Sequence, residues 1–208
     1  MSEEDQNQSL VSLILPTLNS ASIVGDLLES VVAQTYPNIE LIAVDAGSID
    51  GTRELLERHA TRLLDFTIEP HMAWGTPYQD VLGADTASGE FIYFIDSDMV
   101  LDPEAVGTYV RQMADANAEA LIVPEISFGE GFWAACKVLE RSSYLLADSA
   151  IEAPRFIRKS VWKESGGYDP TMGGLLDWDF HRKLRDIGKT IIRGDIPVRH
   201  NEGRLTLR

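Results

Sequence analysis

Carboxylates that follow directly on apolar runs are the residues of this sequence whose type and spacing could do chemistry. In "GEFIYFIDSDMVLDPEA", Gly89 to Ala105, the six residues from Glu90 to Ile95 read as a buried strand, and Asp96 and Asp98 come straight after it. Like charges that close raise each other's pKa and repel, so a positive group is expected between them. Mg²⁺ and Mn²⁺ take oxygen ligands and often use one or two carboxylates together with substrate phosphates. An Asp-x-Asp at a strand end points both carboxylates the same way, about two residue rises apart. The competing role is helix capping. Asp102, with Pro103 at the first helical position, already meets that need, which leaves Asp96 and Asp98 for a metal.

Other candidates share this placement. Asp45, in "AVDAGSIDGT", follows a second apolar run, and Ala46-Gly47 separate it from the next helix, which Asp50 is placed to cap. A carboxylate at position 45 could accept a hydrogen bond from a nucleobase or ribose. Asp177 and Asp179 flank Trp178 at a helix start after a run of glycines. One carboxylate there complements the helix dipole, and one of the two could serve as a general base. His200 follows the apolar "DIPV"; a lone histidine is more often structural than a ligand.

These residues need elements to hold them. "SLVSLILP" reads as a strand ended by Pro16, and "SASIVGDLLESVVAQTY" as a helix capped by Ser20 or Ser22. "IELIAVDA" is a second strand and "GTRELLERHATRLL" an amphipathic helix. His71 to Tyr78, with Trp74, Gly75 and Pro77, is irregular, and a helix over about 79–87 feeds the strand before Asp96. Strands alternating with helices predict a mostly parallel sheet with right-handed crossovers, whose ligands bind beyond the carboxyl ends of the strands. Asn19, Asp45, Asp96 and Asp98 all fall just past such ends. The second half predicts a helix from Pro103 to about Asn117, a strand "EALIVPEI" and a long helix "GEGFWAACKVLERSSYLLADSA". A short strand "APRFIRK", a glycine-rich loop "SGGYDPTMGGL" and a helix "LDWDFHRKLRDIG" closed by Gly188 come next. One or two strands in "KTIIRGDIPVRHNEG" finish the pattern. The apolar stripe of the long helix suits either the core or an acceptor-side surface.

A length of 208 residues suits one α/β domain, and 44% hydrophobic residues suffice for a core. The net charge of −15 argues against a nucleic-acid partner, which needs a positive face. No apolar run is long enough to cross a bilayer, the acidic start "MSEEDQNQSL" is neither a signal nor a transit peptide, and Cys136 is the only cysteine. A cytoplasmic setting is expected. The sequence stops at "RLTLR" in mid-pattern, so a C-terminal continuation is expected as well.

Taken together, "SLILPTLN", "VVAQTYPNIELIAVDAGSIDGT", "ASGEFIYFIDSD", "SGGYDP" and "DWDFHRKLRDIG" resemble the family 2 glycosyltransferases in order and spacing, from about Val11 to His200. The resemblance implies a single GT-A (Rossmann-like) α/β domain over 1–208. Its half at about 10–100 would bind nucleotide and its half at about 101–200 the acceptor. It implies an inverting, metal-dependent transfer from a UDP- or GDP-sugar to a hydroxyl of a glycan or lipid-linked saccharide, with Mn²⁺ or Mg²⁺. Such an enzyme works in the cytoplasm, free or peripherally at the inner face of the membrane. Residue by residue, Pro16, Thr17, Asn19 and Asp45 would line the nucleotide pocket, and Asp96 would face the ribose and metal. Asp98 would bind the metal, with His200 as a further ligand. Asp177 would be the catalytic base, and Arg155 and Arg158 could meet phosphate or acceptor.

The chain departs from the family pattern where Leu176 replaces the usual Glu before the base. Ser20 and Ala46 replace a Glu and an Asp, and Asp80 and Val81 stand where Arg and Asn are frequent. A non-catalytic nucleotide-sugar-binding relative is therefore the alternative. A third reading is a haloacid-dehalogenase-like phosphatase with Asp96 as nucleophile. The two strand–helix units ahead of "FIDSDMV" count against it, because that motif usually sits on a domain's first strand.

Overall fold

The computed structural model of the chain describes residues 9–72, 75–144 and 154–204. In chain order the strands are β1 (Val11–Thr17), β2 (Ile39–Asp45), β3 (Arg62–Asp65), β4 (Phe91–Phe94), β5 (Met99–Val100), β6 (Ala120–Ile122), β7 (Glu125–Glu130), β8 (Phe156–Arg158), β9 (Ile191–Arg193) and β10 (Val198–Arg204). The helices are α1 (Val24–Val32), α2 (Thr52–His59), α3 (Thr76–Thr86), α4 (Ala105–Asp115), α5 (Phe132–Tyr144), α6 (Lys159–Ser165) and α7 (Leu176–Asp186). A 3₁₀ turn over Pro170–Leu175 leads into α7.

The main sheet has the order β3-β2-β1-β4-β8-β6-β9 and is parallel except at β8, which runs against both its neighbours. A smaller sheet has the order β5-β10-β7. This is the mostly parallel α/β sheet flanked by helices that the sequence predicts. Alternation explains why helices cover both faces. Val11, Leu13 and Leu15 of β1 and Phe91 and Tyr93 of β4 pack with α1, α2 and α4 on one face. Ile14, Ile92 and Phe94 pack with α3, α6 and α7 on the other. A parallel strand buried on both sides has to be apolar at nearly every position, as β4 is.

Two glycines in this half are set by close approach. A Cβ on Gly83 would lie 2.4 Å from Ile14 Cγ2, so α3 can lie flat on β1 only with glycine there. A Cβ on Gly89 would lie 2.6 Å from the Leu10 carbonyl and 2.8 Å from Ser12 N. Buried Glu40 completes that turn, accepting from Ser12 Oγ at 2.5 Å and Ser88 N at 2.6 Å, and Ser12 Oγ accepts from Gly89 N. The turn seats β4 beside β1, and so aims Asp96 and Asp98.

Several boundaries differ from expectation. Pro16 lies inside β1, tolerated because β1 pairs with β4 only as far as Ile14. Neither Ser20 nor Ser22 caps α1 with its side chain; the Ser20 carbonyl accepts from Ile23 and Val24 instead. The helix expected over 51–64 stops at His59, and Arg62–Asp65 becomes β3. The open edge of β2 takes it, with Thr61 N donating to the Leu41 carbonyl and Leu41 N to Thr61 Oγ1. Helix α4 starts at Ala105 rather than Pro103, and Asp102 Oδ1 accepts from Glu104 N in the turn before it. "EALIVPEI" is two strands in two sheets, β6 and β7, broken at Pro124. Helix α6 was not anticipated, and the glycine-rich loop holds the 3₁₀ turn. The long helix expected over 129–150 is described as Phe132–Tyr144; its expected continuation over 145–150 lies outside the described residues, as does Trp74. Among the described residues no helix is long and apolar enough to cross a membrane.

Candidate active site

The carboxyl ends of β1 and β4 open onto a cavity of about 390 Å³, lined among others by Pro16, Thr17, Gln79, Asp96, Asp98 and His200. That volume lies within the range of about 300–1,000 Å³ usual for small-molecule sites. Gln79, buried on α3, ties the strand ends together: its Nε2 donates to the Thr17 carbonyl at 3.0 Å and the Val44 carbonyl at 2.6 Å. Asp45 is 1% exposed and turned onto its own loop, accepting from Thr17 Oγ1 at 3.0 Å, Ser48 N at 2.9 Å and Ser48 Oγ at 2.5 Å. Asn19, exposed and at φ 50°, accepts from Ile49 N at 3.0 Å while its own N donates to Ser48 Oγ. Thr17 and Pro16 therefore face the cavity, whereas Asp45 and Asn19 shape the loops at its rim.

Asp96 and Asp98 each meet a positive group from a distant part of the chain. Arg155 Nη2 lies 3.1 Å from Asp96 Oδ2, and His200 Nε2 lies 3.1 Å from Asp98 Oδ2. Glu125 joins the two pairs: its Oε1 accepts from Arg155 Nε at 2.9 Å and its Oε2 lies 3.2 Å from His200 Nδ1. The result is a chain of alternating charge, Asp98–His200–Glu125–Arg155–Asp96. Burial pulls the His200 pKa down, but hydrogen bonds to Asp98 and Glu125 outweigh it and carry the imidazole up to about 9. Burial likewise works against the Arg155 charge, and Asp96 and Glu125 outweigh it.

The small sheet and β8 bring these groups together. β10 runs antiparallel to β5 with His200 opposite Met99, and parallel to β7, which carries Glu125. β8 runs antiparallel to β4, so the Arg155 carbonyl accepts from Phe94 N and its side chain comes alongside Asp96. Arg158 lies at the other end of β8 opposite Phe91, where Glu90 Oε1 accepts from its Nη1 at 2.6 Å. The expectation that Arg158 meets phosphate or acceptor is corrected by that register, since antiparallel pairing sends it away from Asp96.

A metal ion would find a partial donor set. Asp98 Oδ1 is buried and unpartnered, whereas Asp98 Oδ2 and His200 Nε2 occupy each other. Among the described residues no three His, Cys, Asp or Glu side chains could together hold an ion. A divalent cation fits Asp98 and His200 if it displaces the proton that His200 Nε2 shares with Asp98 and diphosphate oxygens complete its shell.

Beside the first cavity lies a smaller one of about 260 Å³, lined by residues that include Asp80, Phe94, Asp96, Arg155, Tyr168 and Asp177. Asp96 lines both. Burial, and then the Asp96 charge, push the Asp80 carboxyl well above the usual range. Burial, and then Asp177 and Asp80, do the same to the Tyr168 phenol.

The two carboxylates of α7 have opposite fates. Asp177 is half-buried at the smaller cavity, in the first turn of the helix. Asp179 is 4% exposed and lies 2.8 Å from Arg182 Nη2 and 2.9 Å from Lys183 Nζ. Burial alone would raise its pKa, but these two cations hold it below the usual carboxylate value. A carboxyl depressed on folding stabilises the protein above its unfolded pKa of about 3.9, and that gain is lost as pH falls through the lower folded value. Asp179→Asn is therefore expected to cost about 1–2 kcal/mol at pH 7, discounted because Arg182 is half exposed. Urea unfolding at a series of pH values should show the gap closing below about pH 4. A gap that stayed constant in acid would contradict the ion-pair account.

Sequence reasoning missed Glu125 and Gln79. Glu125 was read inside a single strand, and nothing local marks Gln79, whose role depends on where α3 crosses β1 and β2. Asp80 was noted only as a departure from a pattern.

The family model for Glycosyl transferase family 2 matches residues 12–163, and the chain belongs to that family. The match takes in Asp45, Asp96, Asp98, Glu125 and Arg155 and stops short of Asp177 and His200. Glycosyltransferase GlyG of Streptococcus pneumoniae serotype 4 is 28% identical over 118 residues, covering 54% of this chain and 38% of that protein. A PGL/p-HBAD biosynthesis glycosyltransferase of Mycobacterium tuberculosis is 26% identical over 177 residues, covering 83% of this chain and 68% of that protein. Among solved structures, S. aureus TarS 1-349 in complex with UDP-GlcNAc superimposes with a TM-score of 0.72 at 19% identity, over 96% of this chain and 60% of that one. A mannosyltransferase from Pyrobaculum calidifontis, in complex with GDP-Man and Mn²⁺, does so with a TM-score of 0.71 at 19% identity, over 92% of this chain and 56% of that one. The fold is thus GT-A. The chain spans 38% of GlyG, well short of that relative's whole length.

Proposed function

We infer that this chain transfers a sugar from a nucleoside-diphosphate sugar to an acceptor hydroxyl, with inversion at the anomeric carbon. The observation that carries the reading is the juxtaposition of two cavities through Asp96. The larger is lined by strand ends and Asp98; the smaller holds Asp177. A nucleoside diphosphate suits the first, and the base belongs across the sugar from it. Relatives in complex with UDP-GlcNAc and with GDP-Man support a nucleotide-sugar donor.

In this reading Pro16 and Thr17 contact the nucleotide, and Asp45 and Asn19 fix the loops that receive its base and ribose. Asp98 and His200 would hold Mn²⁺ or Mg²⁺, whose contribution when bound is to offset the negative charge on the diphosphate. Asp177 accepts the proton of the acceptor hydroxyl. As that oxygen bonds to the anomeric carbon, the bond from the same carbon to the phosphate oxygen breaks. Its electron pair departs with the nucleoside diphosphate. Attack from the face opposite the leaving group inverts the centre, through an oxocarbenium-like transition state. A glycan or lipid-linked saccharide is the acceptor, and the work is done in the cytoplasm or peripherally at the inner face of the membrane. Residues at about 10–100 supply the donor floor, and those at about 101–200 add the base and acceptor side.

The test is calorimetric titration of UDP, GDP and CDP, each with and without Mn²⁺. One nucleotide should bind, and bind tighter with the ion. If none binds with Mn²⁺ present, the donor-site reading is wrong.

A further inference from the structure

The smaller cavity has a feature that the reaction so far does not use. Asp80 is only 8% exposed and lines that cavity. Among the described residues no hydrogen bond or ion pair engages its carboxyl. Burying a carboxyl that no hydrogen bond or ion pair holds costs stability, so a chain that keeps one at a cavity wall is paying for something other than its fold. Arg155 attracts the Asp80 carboxyl without pairing with it, since its Nε is on Glu125 and its Nη2 on Asp96.

Size and lining narrow the ligand. At about 260 Å³ the cavity is below the range of about 300–1,000 Å³ typical of whole small-molecule sites, so it suits one ring or group of a larger ligand. Its lining is mixed: Phe94, Pro77 and Leu176 are apolar and Asp80, Tyr168 and Thr76 polar. A pyranose has the same two aspects, an axial C–H face and a rim of hydroxyls. Two adjacent ring hydroxyls match the two oxygens of one carboxyl, and in either protonation state a carboxyl accepts hydroxyl hydrogens. The position between Asp96 and Asp177 is where a sugar leaving a diphosphate for an attacking oxygen must lie. Two departures from the family pattern, Asp80 and Leu176, face this one cavity, as if the carboxyl lacking at 176 were supplied from 80.

With the donor pyranose in the smaller cavity, as the donor reading requires, we propose that Asp80 is a specificity-determining residue which binds two adjacent ring hydroxyls. The inference rests on the donor reading above and adds to it a residue that selects the sugar.

The experiment compares the wild-type chain with Asp80→Ala and Asp80→Asn, titrating UDP, UDP-glucose, GDP and GDP-mannose in the presence of Mn²⁺. Asp80→Ala should weaken the preferred nucleotide sugar about tenfold and leave the matching nucleoside diphosphate within about twofold. Asp80→Asn, which keeps one carbonyl acceptor, should fall between. Thermal unfolding of Asp80→Ala should occur no lower than in the wild type, because the variant removes a buried carboxyl that no hydrogen bond or ion pair holds. Equal weakening of nucleotide and nucleotide sugar, no change in either, or a clear drop in melting temperature would each overturn the proposal. If the wild type binds no nucleotide at all, the donor reading fails and this inference with it. If nucleotides bind and Asp80→Ala is silent, only the inference fails.

Discussion

Asp177→Asn is expected to lower sugar transfer by about 10²–10⁴-fold, the usual contribution of a positioned general base, while nucleotide affinity stays within about twofold. The substitution keeps the side chain's size and its place at the start of α7 and removes only its ability to take a proton. Asp177 lines the smaller cavity and not the larger one, so the nucleotide should not sense the change. Transfer can be followed as release of nucleoside diphosphate, using an added hydroxyl acceptor or the slow reaction with water. The affinity arm separates loss of the base from loss of the fold. Transfer that survives in Asp177→Asn would mean that the base is another group, and Asp80 would then be the next to examine. Leu176 bears on the size of the effect. Position 176 offers no carboxylate, and Asp179 of the same turn is held by Arg182 and Lys183, so the loss should be borne by one residue of the helix.

Asp98→Ala is expected to abolish the Mn²⁺-dependent part of nucleotide binding, weakening it by about 100-fold, at least the upper end of what outer-shell changes cost metal sites. Asp98 Oδ1 is buried and unpartnered, and Asp98 Oδ2 holds His200. No other carboxylate of the larger cavity offers the same: Asp96 is drawn onto Arg155. Binding without Mn²⁺ should change little, which makes the ratio of the two affinities the informative number. Titration of each nucleotide with and without the ion, in wild type and variant, gives that ratio directly. A variant that retains the full Mn²⁺ enhancement would show that the ion is held elsewhere, or by phosphate alone.

Much of the fold is legible because β1, β2 and β4 are short apolar runs, punctuated by polar turns and separated by helical periodicity. That pattern leaves little choice besides a parallel sheet covered on both faces. Where reading failed, local preference was overridden by a partner out of sequence. Arg62–Asp65 continues a good helical pattern, yet the unpaired edge of β2 draws it into the sheet. "EALIVPEI" is apolar throughout and locally one strand, but Pro124 divides it between two sheets. Those sheets diverge because β7 has β10 to pair with and β6 has β8 and β9.

By itself the sequence determined which carboxylates sit at strand and helix ends, since that follows from where apolar runs stop. Asp96, Asp98 and Asp177 were located in this way, and the family was read from the resemblance of the motifs around them. Only the tertiary structure decided what each carboxylate faces. It turned Asp45 onto its own loop, sent Asp179 to Arg182 and Lys183 and left Asp177 at the cavity. It also supplied Arg155, Glu125 and His200 from segments far along the chain to answer the charge of Asp96 and Asp98. The reason is physical: the position of a carboxylate along an element is a local property, whereas its charge partner is chosen by strand pairings such as β5 with β10 and β4 with β8, which no local pattern encodes.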